Sequence, residues 1–445
     1  MPSNALPPGP KGTLLAGNLR EFVAHGLDFY AGLAREYGDL ASFRFGPFRR
    51  VFLANHPDLI EQVLVTDAKH YVKHFGVRNY MPVLGNGLVT SDGDFWLRQR
   101  RLSQPAFLKH RVASYAPVMA ELTRAMLDRW RPGMAVHVHT EFGQLTSAIA
   151  LKTLFGLDDP GDRAAFVEWL RTAFQLLTGR FRKLVNLPLW VPTPDNVRIR
   201  RAVRHLHRVV DGFIAAGRAR KEPGDDLLSR LVAARDDDGS RMTEAQIRDE
   251  AMSLYLAGHQ TTALTLTWSW YLLATHPDAE RRLVEEWARV LGGRPPTTDD
   301  LAHLPYTDAV LAEAMRLYPP AYLTGREATK DLELGGYRVR KGYTVFMSQW
   351  VTHRDPRYFG PDPDAFRPER WLDGLAKRLP KYAYFPFGGG PRVCIGNTFA
   401  SMEGAILLAT VGQRYRFTVD PGEVGTNPQI TLLPSNGIPA TLQER

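Results

Sequence analysis

Apolar residues recur at intervals of three and four along most of this 445-residue chain, the spacing that gathers them on one face of an α-helix. The segments Glu121–Trp130 and Ala164–Phe174 read as amphipathic helices of this kind. Alternating, β-like runs are confined to Ala41–Ala54 and Gly335–Met347. Two such stretches are too few for a parallel α/β sheet, so the pattern predicts a mainly α fold with small β-sheets. The strongest single helix signal opens at Thr243 and Gln246, spaced as a capping box, and closes before Pro277. At 1.5 Å per residue such a helix spans about 50 Å, the width of a whole domain. Within it, Ala251–Pro277 carries no charged residue apart from His259 and His276. That stretch is long enough to cross a bilayer, but Gln260 and its many threonines and serines favour a helix buried in protein. The breaks at Arg235–Ser240 and Gly292–Thr298 read as loops between helices.

Composition narrows the class. No Gly/Ser linker, low-complexity tract or repeat divides the sequence, and one large domain over 1–445 is the simplest expectation, with no fused reductase. The first residues show neither the charged n-region and apolar h-region of a signal peptide nor an anchor, which predicts a cytoplasmic protein. A formal net charge of +9 raises the question of nucleic acid. The arginines, however, scatter along helix-like segments with no aromatic interleaving, so solvated faces are expected instead.

Candidate chemistry concentrates at Cys394, the sole cysteine, within Phe-Gly-Gly-Gly-Pro-Arg-Val-Cys-Ile-Gly from Phe387 to Gly396. A lone cysteine forms no internal disulfide, and by itself it is usually a small buried hydrophobe. Here Gly388, Gly389, Gly390 and Gly396 strip side chains from both sides of the sulfur and let backbone lie close to a large flat ligand. Arg392 adds a fixed charge two residues away. The apolar spacing after Gly396 predicts a helix starting at the cysteine, whose N-terminal partial charge would favour thiolate.

The string F-G-x-G-x-R-x-C-x-G resembles the haem-binding signature of the cytochromes P-450. The resemblance implies a soluble bacterial-type haem-thiolate enzyme, with haem b lying between the long central helix and the cysteine loop. Cys394 would be the axial iron ligand, donating electron density that favours O–O cleavage. Phe387, Gly388 and Gly396 would pack around the haem, and Arg392 would pair with a propionate. Ala257–Thr262, Ala-Gly-His-Gln-Thr-Thr, resembles the family's oxygen-binding kink: Ala257 and Gly258 would leave room over the iron and Thr261 would hydrogen-bond dioxygen. Gly258 otherwise costs a helix interior about 1 kcal/mol relative to alanine. Gln260 departs from the pattern, which has an acid there; an amide orients water but cannot relay protons by ionising. Water, Thr261 or His259 are open as substitutes. Trp96 and Arg100, one turn apart, and Arg326, seven residues after Pro319, match propionate-binding positions. Glu313, Arg316 and Arg370 match a structural Glu–Arg–Arg network.

Such a protein would insert one oxygen atom of O2 into a hydrophobic substrate, a terpenoid, fatty acid or polyketide-like lipid. A peroxide-driven peroxygenase, a haem-thiolate isomerase or dehydratase, and a haem sensor are the alternatives. By the same resemblance the pocket would draw on Leu84, Leu88, Phe174, Ala257, Tyr322, Leu323 and Asn436. Electrons from NAD(P)H would arrive through a reductase and an acidic ferredoxin or flavodoxin. That donor would meet a monomer at Arg98, Arg101 and Lys377–Lys381, steered by charge.

Overall fold

The computed structural model describes residues 5–156, 163–180, 187–219, 224, 226–236, 238–420, 422 and 424–445. It is mainly helical, with small sheets at the periphery. The long central helix runs Glu244–Thr275 without interruption. Its capping box forms as the spacing predicts: the Thr243 hydroxyl accepts from the Gln246 amide at 3.2 Å, and the Gln246 side chain accepts from the Thr243 amide at 2.9 Å. The expected kink at Ala257–Thr262 is therefore not a break in the helix.

Two apolar clusters flank this helix. Its first half, through Leu256, packs with helices Val138–Phe155, Arg163–Gly179 and Pro194–Ala219. Its second half, from Ala263, packs with Ala116–Leu127, Pro305–Leu317 and Asn397–Gly412. The six residues 257–262 belong to neither cluster. The sequence pattern that looked too polar for a bilayer is thus a helix buried at both ends and open in the middle.

Ala41–Ala54 forms a hairpin, β1 (Leu40–Phe45) and β2 (Arg49–Ala54). The five-stranded sheet continues through β3 (Tyr71–Lys73), β4 (Thr324–Ala328) and β5 (Thr344–Met347), in the spatial order β1-β2-β5-β4-β3. Only β2 and β5 run parallel. The Gly335–Met347 run divides between two sheets, since Tyr337–Val339 pairs with Leu332–Leu334 instead. In β3 and β4, Lys73 sits directly opposite Arg326. Like charges in register repel, so this edge is arranged for something other than sheet stability.

Candidate active site

The cysteine loop is shaped by its glycines for two different reasons. Gly390 has φ of +64°, and a Cβ there would lie 1.9 Å from the Leu64 carbonyl oxygen; a Cβ at Gly389 would strike the Tyr382 ring. These two glycines serve packing against protein. Gly388, with φ of +70°, meets nothing within 4 Å, and a Cβ on Gly396 would meet only Phe107 at 3.9 Å. Those two face open space, as a flat ligand requires. Phe387 is half-buried, and its carbonyl takes the Cys394 amide at 3.0 Å, closing the loop.

The helix after the cysteine begins at Asn397, not at Cys394, because Gly396 takes the capping position. The sulfur therefore lies outside the helix. Burial pushes the Cys394 thiol pKa up, against smaller opposing pulls from the Gly396 amide and the Arg100 guanidinium. The pull of the Gly396 amide has the direction expected of the helix end, but burial outweighs it. Cys394 is nonetheless exposed although protein surrounds it, as happens for a residue facing an internal space.

A cationic cluster borders this loop. Trp96 and Arg100 lie on the helix Gly93–Ser103. Arg392 stacks its guanidinium 4.4 Å from the Trp96 ring and donates to Asp92 at 2.6 Å and to the Ser91 carbonyl at 3.2 Å. Arg100 donates to the Val393 carbonyl at 3.0 Å. Arg326 reaches only its neighbour's carbonyl, Gly325, and among the described residues makes no ion pair. Burial, then Arg392, lower its pKa to about 10. The same causes, burial first and then Arg392, push Lys73 well below the ordinary lysine value. His74, beside them, is lowered to about 3 by burial and by Arg326 and Arg78, so it stays neutral. Lys73, Arg326 and Arg392 thus have Asp92 in common as an acidic neighbour, with Glu250 also acting on Lys73, while Arg100 faces Cys394. Buried charge left unbalanced is costly, and a ligand carrying carboxylates would relieve it.

Sequence reasoning missed Lys73, Asp92 and Glu250. Lys73 donates to the Leu88 carbonyl, while the Leu88 amide donates to Glu250 on the central helix at 3.0 Å. Burial raises Glu250 to about 7. One peptide segment is clamped from both sides, and no local signal marks it because its partners lie far apart in sequence.

In the open stretch of the central helix, Ala257 is exposed and a Cβ on Gly258 would meet nothing within 4 Å. The Thr261 hydroxyl donates to the Ala257 carbonyl at 2.7 Å, the back-bond common to helical threonines. Its lone pairs are left to accept. Gln260 makes no side-chain hydrogen bond among the described residues. His259 is turned away: its ring stacks on Tyr255 at 4.5 Å and bonds the Tyr255 carbonyl, and burial lowers it to about 4. A neutral, stacked imidazole is a poor substitute for an acid. A carboxyl that faces this segment is Glu403, buried in the helix Asn397–Gly412, against the Thr262 hydroxyl and raised by burial to about 8.

The pocket residues divide. Tyr322 and Leu323 line a cavity of about 1090 Å³ together with Tyr80, Val89 and Ser435. Leu84 and Phe174 are instead buried in the apolar cluster beside the central helix, Phe174 stacked on Tyr80 at 5.2 Å. Leu88 is buried with them, and Asn436 is exposed outside the wall. The pocket segment expected from Phe174 onward ends at Phe181, which lies outside the described residues. The cavity wall includes neither Cys394 nor Ala257, so it is an outer vestibule. Its wall also carries His74, which follows Lys73 in the chain and lies close to Arg326.

The model of the family "Cytochrome P450" matches residues 7–440. The chain belongs to the cytochrome P-450 family. It is 40% identical over 95% of its length to cyclooctatin synthase of Streptomyces melanosporofaciens, covering 92% of that protein. It is 35% identical to cyclooctat-9-en-7-ol 5-monooxygenase of the same organism, over 93% of this chain and 90% of the relative. Pentalenene oxygenase of Streptomyces avermitilis is also 35% identical, with 93% and 91% covered. The fold superposes on the solved structure "Retinoic acid bound cyanobacterial CYP120A1" with a TM-score of 0.89 at 26% identity, over the whole of both chains. As a P-450, the protein is a haem-iron monooxygenase using O2. The residues present fit that group: unbalanced cations for its carboxylates, glycines facing open space, and a sulfur within reach. No described helix is long and apolar enough to cross a membrane.

Proposed function

We propose that this P-450 oxygenates a cyclic terpenoid, with Cys394 as the iron ligand and electrons supplied by a separate cytoplasmic donor. The observation that carries the site assignment is the buried excess of positive charge at Lys73, Arg326 and Arg392, set against Asp92, beside the accessible Cys394. Haem, when bound, supplies the oxygen-activating chemistry. Arg326, Arg392, Arg100 and Trp96 would hold its propionates, while Phe387, Gly388 and Gly396 give it room. Ala257 and Gly258 leave the space above it. The Thr261 oxygen, its proton committed to Ala257, accepts a hydrogen bond there, and Gln260 orients water.

The substrate class rests on the three Streptomyces relatives, a cyclooctatin synthase, a cyclooctat-9-en-7-ol 5-monooxygenase and a pentalenene oxygenase, whose names describe cyclic terpenoid compounds. The vestibule wall, with Phe22, Phe45, Phe75, Phe346 and Ile430, offers mainly apolar contact, which suits a hydrocarbon skeleton positioned by shape. The chain would act as one catalytic unit, a monomer that draws NAD(P)H electrons through an acidic ferredoxin or flavodoxin.

The test is spectroscopic. Wild-type protein, reduced under carbon monoxide, is expected to show the red-shifted Soret band of axial thiolate and to shift its ferric spectrum on titration with cyclic terpenes. Cys394→Ser should lose the first signal, because an alcohol oxygen is a weaker donor. A variant with the unaltered band would remove Cys394 from the iron. A fatty-acid response without a terpene response would overturn the substrate class alone.

A further inference from the structure

The loop of residues 85–92 is fastened at both ends by charged groups. At its start it lies flat on the central helix: the Asn86 amide donates to Asp249 at 2.8 Å and the Leu88 amide to Glu250 at 3.0 Å, while a Cβ on Gly87 would fall 2.4 Å from the Asp249 carbonyl oxygen. At its end, both oxygens of Asp92 accept from the Lys73 amide, at 3.1 and 3.2 Å, and Arg392 donates to Asp92 and to the Ser91 carbonyl. Lys73 joins the two ends, since its ammonium donates to the Leu88 carbonyl. A continuous path of contacts therefore leads from Glu250 through the Leu88 peptide to Lys73, Asp92 and Arg392.

Glu250 is fully buried, and its second oxygen has no hydrogen-bond partner among the described residues. Burial raises its pKa to about 7; the Leu88 amide and Lys73 pull the other way, and Asp249 beside it on the helix adds to the rise. Asp249 in turn faces Arg248 and, from the helix Pro194–Ala219, the His207 imidazole. Lys73 answers to Arg392, Asp92 and Arg326 as well as to Glu250, and burial lowers it toward the same range. Arg326 and Arg392 stay charged throughout. For Glu250 and Lys73 alike, raising the pH through neutrality makes the surroundings of those two guanidiniums less positive.

We propose that Glu250 is a positioning residue for the haem site: acting through the Leu88 peptide and Lys73, its charge sets how much positive field the edge at Arg326 and Arg392 offers the haem carboxylates. Ionised, Glu250 takes up part of the field of Lys73 and leaves less for those carboxylates. Protonated, it returns that field to them, while its carbonyl oxygen still accepts from Leu88, so the loop is held and only the charge changes. A negative charge added near the haem also opposes the arrival of an electron, so the haem potential falls as Glu250 ionises. The inference rests on the haem carboxylates lying at Arg326 and Arg392.

Redox titration of the haem-loaded protein over a pH series tests it. The wild-type midpoint potential should fall in a step centred near pH 7. Glu250→Gln, which keeps the bond from Leu88 and cannot ionise, should lose that step and stay at the higher potential of the acid side. Lys73→Met should move the step to higher pH, because the cation that favours the ionised carboxylate is gone; a merely structural contact would move no step. Haem transfer to excess apomyoglobin on the alkaline side should be several-fold slower from Glu250→Gln than from the wild type, and faster from Arg326→Leu at every pH. An unchanged step in Glu250→Gln, with Arg326→Leu losing haem faster, overturns the role of Glu250 alone. If Arg326→Leu also holds haem as the wild type does, the placement of the carboxylates is overturned with it.

Discussion

Glu403 sits in an environment that its position in the sequence does not suggest. It lies in an otherwise apolar helix, one carboxylate oxygen has no partner among the described residues, and burial raises its pKa to about 8 from an ordinary 4.5. Between those values the folded protein keeps a proton that the unfolded chain has released. Stability attributable to this group is therefore fully present below about pH 4.5 and is lost as pH rises toward 8, a change on the order of 5 kcal/mol. Glu403→Gln cannot ionise, so the fall in Tm between pH 5 and pH 8.5 should be smaller in the variant than in the wild type. Parallel falls would show that another group sets the pH dependence. The carboxyl also faces Thr262, next to Thr261, in the very segment where Gln260 replaces an acid. Nothing local distinguishes Glu403 from a solvated glutamate; the motif around Cys394, by contrast, was legible because its function requires a fixed spacing along the chain.

Among the elements, the helix Pro305–Leu317 is held by a buried network. Glu313 accepts from Arg316 through both oxygens at 2.8 and 2.9 Å, from Arg370 at 2.9 Å, from the Trp371 indole at 2.9 Å and from the Arg367 amide at 3.0 Å. Arg316 and Arg370 spend their other donors on the carbonyls of His353, Ala365 and Phe359. Removing the shared anion leaves two buried guanidiniums uncompensated, which costs about 3–5 kcal/mol. Glu313→Ala is therefore expected to fold poorly and retain little haem, whereas Trp371→Phe, losing one hydrogen bond to a charge, should cost about 1.5–3 kcal/mol in urea unfolding. A Glu313→Ala protein of unchanged stability would mean that the network is dispensable. The i,i+3 spacing of Glu313 and Arg316 was visible in the sequence, but burial decides its worth. Local rules also announced the capping box at Thr243 and a β-like run over Ala41–Ala54, though not its folding into the β1–β2 hairpin. The strands Tyr415–Val419 and Pro439–Glu444 went unseen because they pair with each other, and Pro439–Glu444 also with Ala135–His137, far away in sequence. Pro194–Ala219 was overlooked although its buried Ile199, Ala202, Leu206, Val210 and Ile214 keep helical spacing, the many arginines between them obscuring the stripe.

For the whole molecule, the remaining question is where an electron donor meets the surface, and the structure divides the cations expected to receive it. Arg98 is committed within the chain: it donates to Asp236 at 2.8 Å and to the Ser240 hydroxyl at 2.9 Å, and Arg101 pairs with the same carboxylate. These contacts pin the loop before the central helix to the helix that carries Trp96 and Arg100. Lys377, in contrast, is exposed on the short helix Leu375–Arg378, and Lys109 is exposed on Lys109–Ala113, which packs on the helix following Cys394. If an acidic ferredoxin is steered to the cysteine side, Lys109→Glu/Lys377→Glu should slow its association several-fold at low salt and flatten the salt dependence, because steering scales with the charges at the encounter surface. Peroxide-driven turnover, which needs no donor, should be unchanged. Arg98→Glu should behave differently, lowering Tm and both routes together, since a glutamate there would face the nearly buried Asp236. Stopped-flow reduction across a salt series separates the cases. An unaltered association rate in the double lysine variant would move the docking surface elsewhere, and an Arg98→Glu protein impaired only with the donor would return Arg98 to the interface.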